Sequence, residues 1–162
     1  MSDPLIAAAR EIVITALSDI RACVEGASPG ALNWRPASGE TNSIAVLAAH
    51  ALGSTRSWIS IAVGAPLPLR NRTAEFEATT EGADALAELV DEIGRDCLRL
   101  LNAAGALDWA APRATHVRPT SDLASEVPAA WALMHALEHM REHVGQMQLT
   151  RQLADGLEGR AG

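Results

Sequence analysis

Apolar residues recur at three- and four-residue spacing over four stretches of the chain, a pattern that predicts four long helices. The first runs from Pro4 to about Glu25, with Leu5, Ala9, Val13, Leu17, Ile20 and Val24 on one stripe. Asp3 suits its cap, and Pro4 suits the first helical position, where its missing N–H would have no partner. The second starts at Asn42 or Ser43 and runs to about Val63, carrying Ile44, Leu47, Leu52, Trp58 and Ile61; Gly64 and Pro66 close it. The third, from Ala83 to about Leu101, has the cleanest pattern. Leu86, Val90, Ile93, Cys97 and Leu100 form its apolar face, and Glu88, Asp91, Glu92, Arg95, Asp96 and Arg99 lie elsewhere. The fourth and longest runs from about Ser125 to Ala154, with Ser125 as the expected cap and Pro128 in the first turn.

No stretch alternates apolar and polar residues as a half-buried strand would. Four helices without strands predict an all-α four-helix bundle, read as a single domain over residues 1–162. The connections are longer than minimal hairpins, so loop length does not fix the order of helices in space. Those from Gly64 to Gly82 and from Ala104 to Ala124 are long enough to cover one end of a bundle.

Composition narrows the functional classes. With 162 residues, 48% of them hydrophobic, the chain suits one domain with a substantial core. A net charge of −7 and the absence of any lysine exclude the basic surface that phosphate neutralisation requires, so no nucleic-acid partner is expected. Aromatics are 3% with no tyrosine, which removes most stacking platforms for single strands or sugars. No run approaches the ~20 apolar residues of a membrane span, and Met1-Ser2-Asp3-Pro4 lacks the basic start of a signal peptide. The expectation is a cytoplasmic protein with no membrane partner. Cys23 and Cys97 each fall in a helical stripe and read as reduced core thiols.

The chemistry concentrates on the fourth helix, where His135, His139 and His143 recur every fourth residue. Each is displaced only ~40° from the last, so all three share one winding face. His135 and His143 are separated by about 12 Å of rise, too far for one ion with metal–nitrogen bonds of ~2.0–2.1 Å. A neighbouring pair, about 6 Å apart along the axis, is the spacing with which two imidazoles grip one metal. The glutamate of zinc-protease helices is missing, because Met140 and Arg141 follow His139. A third ligand must come from another helix, and His50 is the candidate on the second. Leu47, Gly53, Ser54 and Ser57 neighbour it, and the small residues leave space for a pocket beside its ring. His116, between Arg113 and Arg118, reads as a solvated loop residue. Spacing alone leaves the choice between His135/His139 and His139/His143 open.

Several of these segments resemble the DinB/YfiT-like metalloprotein family. Asn33-Trp34-Arg35-Pro36, then Glu40-Thr41-Asn42-Ser43-Ile44-Ala45 and His50, resemble the opening of the family's second helix. Arg70-Asn71-Arg72 with Glu75-Phe76 resembles a loop found in many members, and His139-x-x-x-His143 with Gly145-Gln146 resembles the fourth-helix signature. The resemblance spans about residues 5 to 153 and implies a four-helix bundle whose metal triad is His50, His139 and His143. His135 then falls one turn early, as a residue of the pocket or its surround. The family includes mycothiol- and bacillithiol-dependent S-transferases and isomerases as well as metal-dependent hydrolases.

Three imidazoles with an open position make a catalytic type of metal site, since structural zinc is usually closed by four protein ligands. Zinc or nickel is expected, with iron also compatible with imidazole ligation. The leading expectation is an enzyme that holds a low-molecular-weight thiol as thiolate for attack on a small electrophile. The alternatives are a metal-dependent hydrolase of a small ester or amide and a non-enzymatic dimeric bundle with a vestigial site. Arg70, Arg72 and Arg141 are candidates to meet the carboxylates of a thiol. Gln146 and Ser54 are candidates to border the pocket, and Trp58 and Trp131 read as core residues able to wall it. Leu133, Leu137 and Val144 are expected to pack against a second subunit in a homodimer.

Overall fold

A computed structural model describes residues 3–37, 39, 41–115 and 125–161. His116 and Arg118 lie outside the described residues. In chain order the elements are α1 (Pro4–Val24), α2 (Pro29–Asn33), α3 (Ile44–Val63), α4 (Arg72–Phe76), α5 (Ala83–Ala103), β1 (Pro112–Ala114), β2 (Glu126–Pro128) and α6 (Ala129–Ala161). The four long helices α1, α3, α5 and α6 form the all-α bundle that the periodicity predicts.

Local chemistry sets most boundaries. Asp3 accepts from the Leu5 N–H at 2.8 Å, and Pro4 opens α1. Ser43 accepts from the Val46 N–H at 3.3 Å to start α3. Gly64, at φ 73°, ends that helix in the left-handed region that only glycine adopts without strain. Its N–H reaches the Ile61 carbonyl while the Ala65 N–H reaches that of Ser60, the paired bonds of a Schellman stop.

The start of the last helix differs from expectation. Ser125 does not cap it, and Pro128 is not in its first turn. Glu126–Pro128 instead pairs antiparallel with Pro112–Ala114, Arg113 opposite Val127. Ala129 and Ala130 donate their N–H groups to the carbonyls of Ala111 and Trp109, so main chain rather than a side chain satisfies the opening turn. A three-residue strand is too short to show alternation, which is why the sequence pattern hides it.

The packing also settles the order of helices in space. The main interfaces are α3 with α6, α3 with α5, α1 with α5 and α1 with α6. Around the bundle the order is therefore α1, α5, α3, α6, and α1 lies diagonal to α3 as α5 does to α6. Two of the three connections cross a diagonal, which requires their length.

The core runs between all four helices, through Val13, Ile20, Ile44, Leu52, Ile59, Leu101, Leu133, Met140 and Met147. Leu133, Leu137 and Val144 belong to this core, at 0%, 6% and 0% exposure, and so do not offer the subunit-facing surface expected of them. The exposed apolar residues of α6 are instead Trp131, Met134, Leu149, Leu153 and Leu157. Cys23 and Cys97 are free and buried, as expected; burial pushes the Cys97 thiol up to about 12. Among the described residues, no helix is long and apolar enough to cross a membrane.

Candidate metal centre

Sixteen of the twenty residues of α3 are buried, because this helix packs against α5, α6 and the short α4. His50 sits in the middle of it at 6% exposure. The α3–α6 interface brings His50 opposite His139 and His143, which are half-buried. The His50 ring centroid lies 5.1 Å from each of the other two, and those two lie 4.4 Å apart. One nitrogen from each ring falls within 4.8 Å of the others.

Hydrogen bonds leave the Nε2 atoms of His50 and His143 facing the site. Nδ1 of His50 is 3.0 Å from Glu75 Oε2. An ionised carboxylate only accepts, so Nδ1 carries the proton and Nε2 keeps its lone pair. Arg70 Nη2 lies 3.4 Å from the same Nδ1, but its hydrogen bond goes to Glu75 Oε2 at 2.8 Å. Nδ1 of His143 is 2.7 Å from Gln146 Oε1, and the Gln146 amide nitrogen faces Glu142 at 3.5 Å, which fixes which amide atom meets the ring. His143 therefore also keeps a free Nε2, and this atom lies 3.3 Å from Nε2 of His139. Nδ1 of His139 is buried without a hydrogen-bond partner among the described residues. Burial first, then the neighbouring His143, His50, His135 and Arg70, lower the His139 pKa to about 3, so its imidazole is neutral at ordinary pH.

These observations fit a cation. Two ring nitrogens 3.3 Å apart, as in His139 and His143, need a proton or an ion between them. Two metal–nitrogen bonds of ~2.0–2.1 Å span at most about 4.2 Å. The His139–His143 separation already meets that limit. His50, His139 and His143 can together hold a metal ion.

The other candidates take different places. His135 is not in the trio. It stacks on Trp131 at 4.8 Å and 16°, meets Trp58 edge-on at 4.7 Å and stands 5.7 Å from the His139 ring. Trp58 is buried as expected, but Trp131 is 39% exposed. Ser54 is buried one turn beyond His50. Gln146 does border the site, through His143. Arg141 does not reach it: its guanidinium pairs with Asp19 of α1 at 2.5 Å. Arg72 lies over the Phe76 ring at 5.5 Å, and the Phe76 ring packs 4.6 Å from that of His50.

The space that Gly53 leaves beside His50 is filled rather than open. A Cβ built there would collide with the Glu75 carboxylate and approach Arg70 Nε to 3.5 Å. Arg70 is bidentate on Glu75, at 2.6 and 2.8 Å, and so meets a carboxylate of this chain. Glu75, in contact with both His50 and Arg70, is a residue of the site that the sequence pattern did not single out. The only signals for it were its place in the quoted loop and the glycine one turn from His50.

A family model described as mycothiol-S-transferase matches residues 10–156. Among solved structures, the crystal structure of a conserved protein of locus from Enterococcus faecalis is similar, with a TM-score of 0.74 and 14% identity. The match covers 96% of this chain and 99% of that one, and at this identity it is a likeness of fold. No curated protein matches significantly. Bundle, histidine spacing and family match agree: the chain belongs to the mycothiol-S-transferase family, of the DinB/YfiT-like type.

Proposed function

We propose that this protein is a metal-dependent S-transferase in which His50, His139 and His143 hold a divalent ion, zinc or nickel before iron, for the activation of a low-molecular-weight thiol. The observation that carries the reading is the convergence of three imidazole nitrogens, with Nδ1 of two rings already committed to Glu75 and Gln146. When bound, the ion would lower the pKa of a thiol at the site and hold it as thiolate.

The chain's own residues prepare for that event. Glu75 and Gln146 hold protons on the outer nitrogens, so the inner ones are free. Phe76, its ring packed against that of His50, limits water on that side of the site. The reaction joins the thiol sulfur to an electrophilic carbon. The thiol proton and the leaving group depart together in the balance. Two free, buried cysteines suit a reducing compartment, which supports a cytoplasmic setting where such a thiol is kept reduced. The homodimer belongs to the same proposal, with the exposed apolar residues of α6 as its surface in place of Leu133, Leu137 and Val144.

The test is conjugation of monochlorobimane by the metal-loaded protein with mycothiol, bacillithiol or glutathione in turn. One thiol should support chloride displacement, and chelation should abolish it. No conjugation with any thiol, together with chelator-sensitive turnover of a model ester, would replace this reading with the hydrolase one.

A further inference from the structure

We propose that Glu75, clamped by Arg70 and admitted by Gly53, is a positioning residue that sets the His50 imidazole for metal binding. The inference rests on the metal reading above. Glu75 belongs to α4, a five-residue helix with no buried residue. Apolar burial therefore does not seat this segment on α3; a polar cluster and one ring contact do. Glu75 meets His50 at 3.0 Å and Arg70 at 2.6 and 2.8 Å, while the Phe76 ring lies against His50.

The Glu75 side chain is 11% exposed, and a carboxylate so placed stays ionised only when partners replace water. Those partners are the His50 ring at 3.0 Å and the Arg70 guanidinium at 2.6 and 2.8 Å. An ionised acceptor at Nδ1 fixes the tautomer, restrains the ring plane and raises the basicity of Nε2. Arg70 occupies both carboxylate oxygens, which keeps Glu75 out of the ligand set and in the supporting one.

Gly53 is the independent observation. Glycine inside a helix is destabilising relative to alanine. Here its backbone is not strained, so conformation does not call for it; the reason is that a Cβ would occupy the place of the Glu75 carboxylate.

The experiment titrates the full chain with zinc against a chromophoric chelator. Wild type is compared with Glu75→Gln, with Gly53→Ala and with Leu69→Ala, a 99% exposed control in the same connection. Glu75→Gln and Gly53→Ala should each weaken zinc binding by about 10–100-fold, and Leu69→Ala should not change it. Imidazole ¹⁵N spectra of the metal-free chain should show His50 protonated at Nδ1 in wild type and a mixture of tautomers in Gly53→Ala, a readout that general destabilisation would not produce. Should Glu75→Gln fail to fold, Gly53→Ala, which leaves every ligand and charge in place, carries the test. Wild-type affinity in both variants would overturn the positioning role and leave the histidine site standing. No zinc binding by wild type would overturn the metal reading and this inference with it.

Discussion

The two helices that meet at the site support their histidines in opposite ways. On α3, His50 is almost fully buried and is braced by a carboxylate from 25 residues further along the chain, itself held by a guanidinium. On α6, His143 is half-buried and is braced by a neutral, exposed amide three residues on. His139 has no brace at Nδ1 among the described residues. A charged hydrogen bond gains most where water is excluded, because there the local dielectric is low and nothing replaces it. On the solvent side, water can take over from a lost amide. The interior brace should therefore matter more than the surface one, although both perform the same task of holding a proton on Nδ1.

This asymmetry can be broken or sharpened by substitution. The largest effect is expected from His50→Ala, which removes the α3 histidine of the proposed site: the dialysed protein should hold no stoichiometric zinc by elemental analysis. Next comes the pair of braces. Gln146→Ala should weaken zinc by no more than about 10-fold in chelator competition, the low end of such effects, and by less than Glu75→Gln does. Equal losses would show that burial does not grade the two braces. His135→Ala lies just outside the comparison. It should leave zinc affinity unchanged while costing ~0.5–1.5 kcal/mol in urea unfolding through its lost contacts with Trp131 and Trp58.

The smallest effect belongs to an ion pair away from both histidine arms. Asp96 on α5 receives hydrogen bonds from Arg99 and Arg56. The Arg99 bond foremost holds its pKa below the usual carboxylate range, against desolvation and with help from Arg56. A depressed carboxylate pKa stabilises the fold above the unfolded-state value and loses that contribution as pH falls through the folded-state value. Asp96→Asn should therefore cost ~0.2–1 kcal/mol at neutral pH, and the gap in melting temperature to wild type should close on acidification.

What the sequence made legible divides along the same line. The α6 pair is local: two histidines four residues apart are on one face wherever that helix packs, so spacing alone pointed to a metal. The helix itself was placed too early, because Pro128 ends, and Ser125 immediately precedes, a strand whose partner residues lie 12 to 16 positions upstream. α5 was read cleanly because one face packs and the other meets solvent. α3 was harder, since burial on nearly all sides erases the periodic contrast and leaves His50 as a polar residue among small ones. Nothing periodic marks the brace on His50. Its carboxylate comes from a short helix without buried residues, and only a collision at Gly53 in three dimensions explains why that position has no side chain.

The most direct test of the account is the metal content of untagged protein and of two variants, measured by elemental analysis after gel filtration. The account predicts close to one equivalent of a first-row divalent metal in wild type and in His135→Ala, and essentially none in His139→Ala. Metal retained by His139→Ala, or none held by wild type, would contradict it.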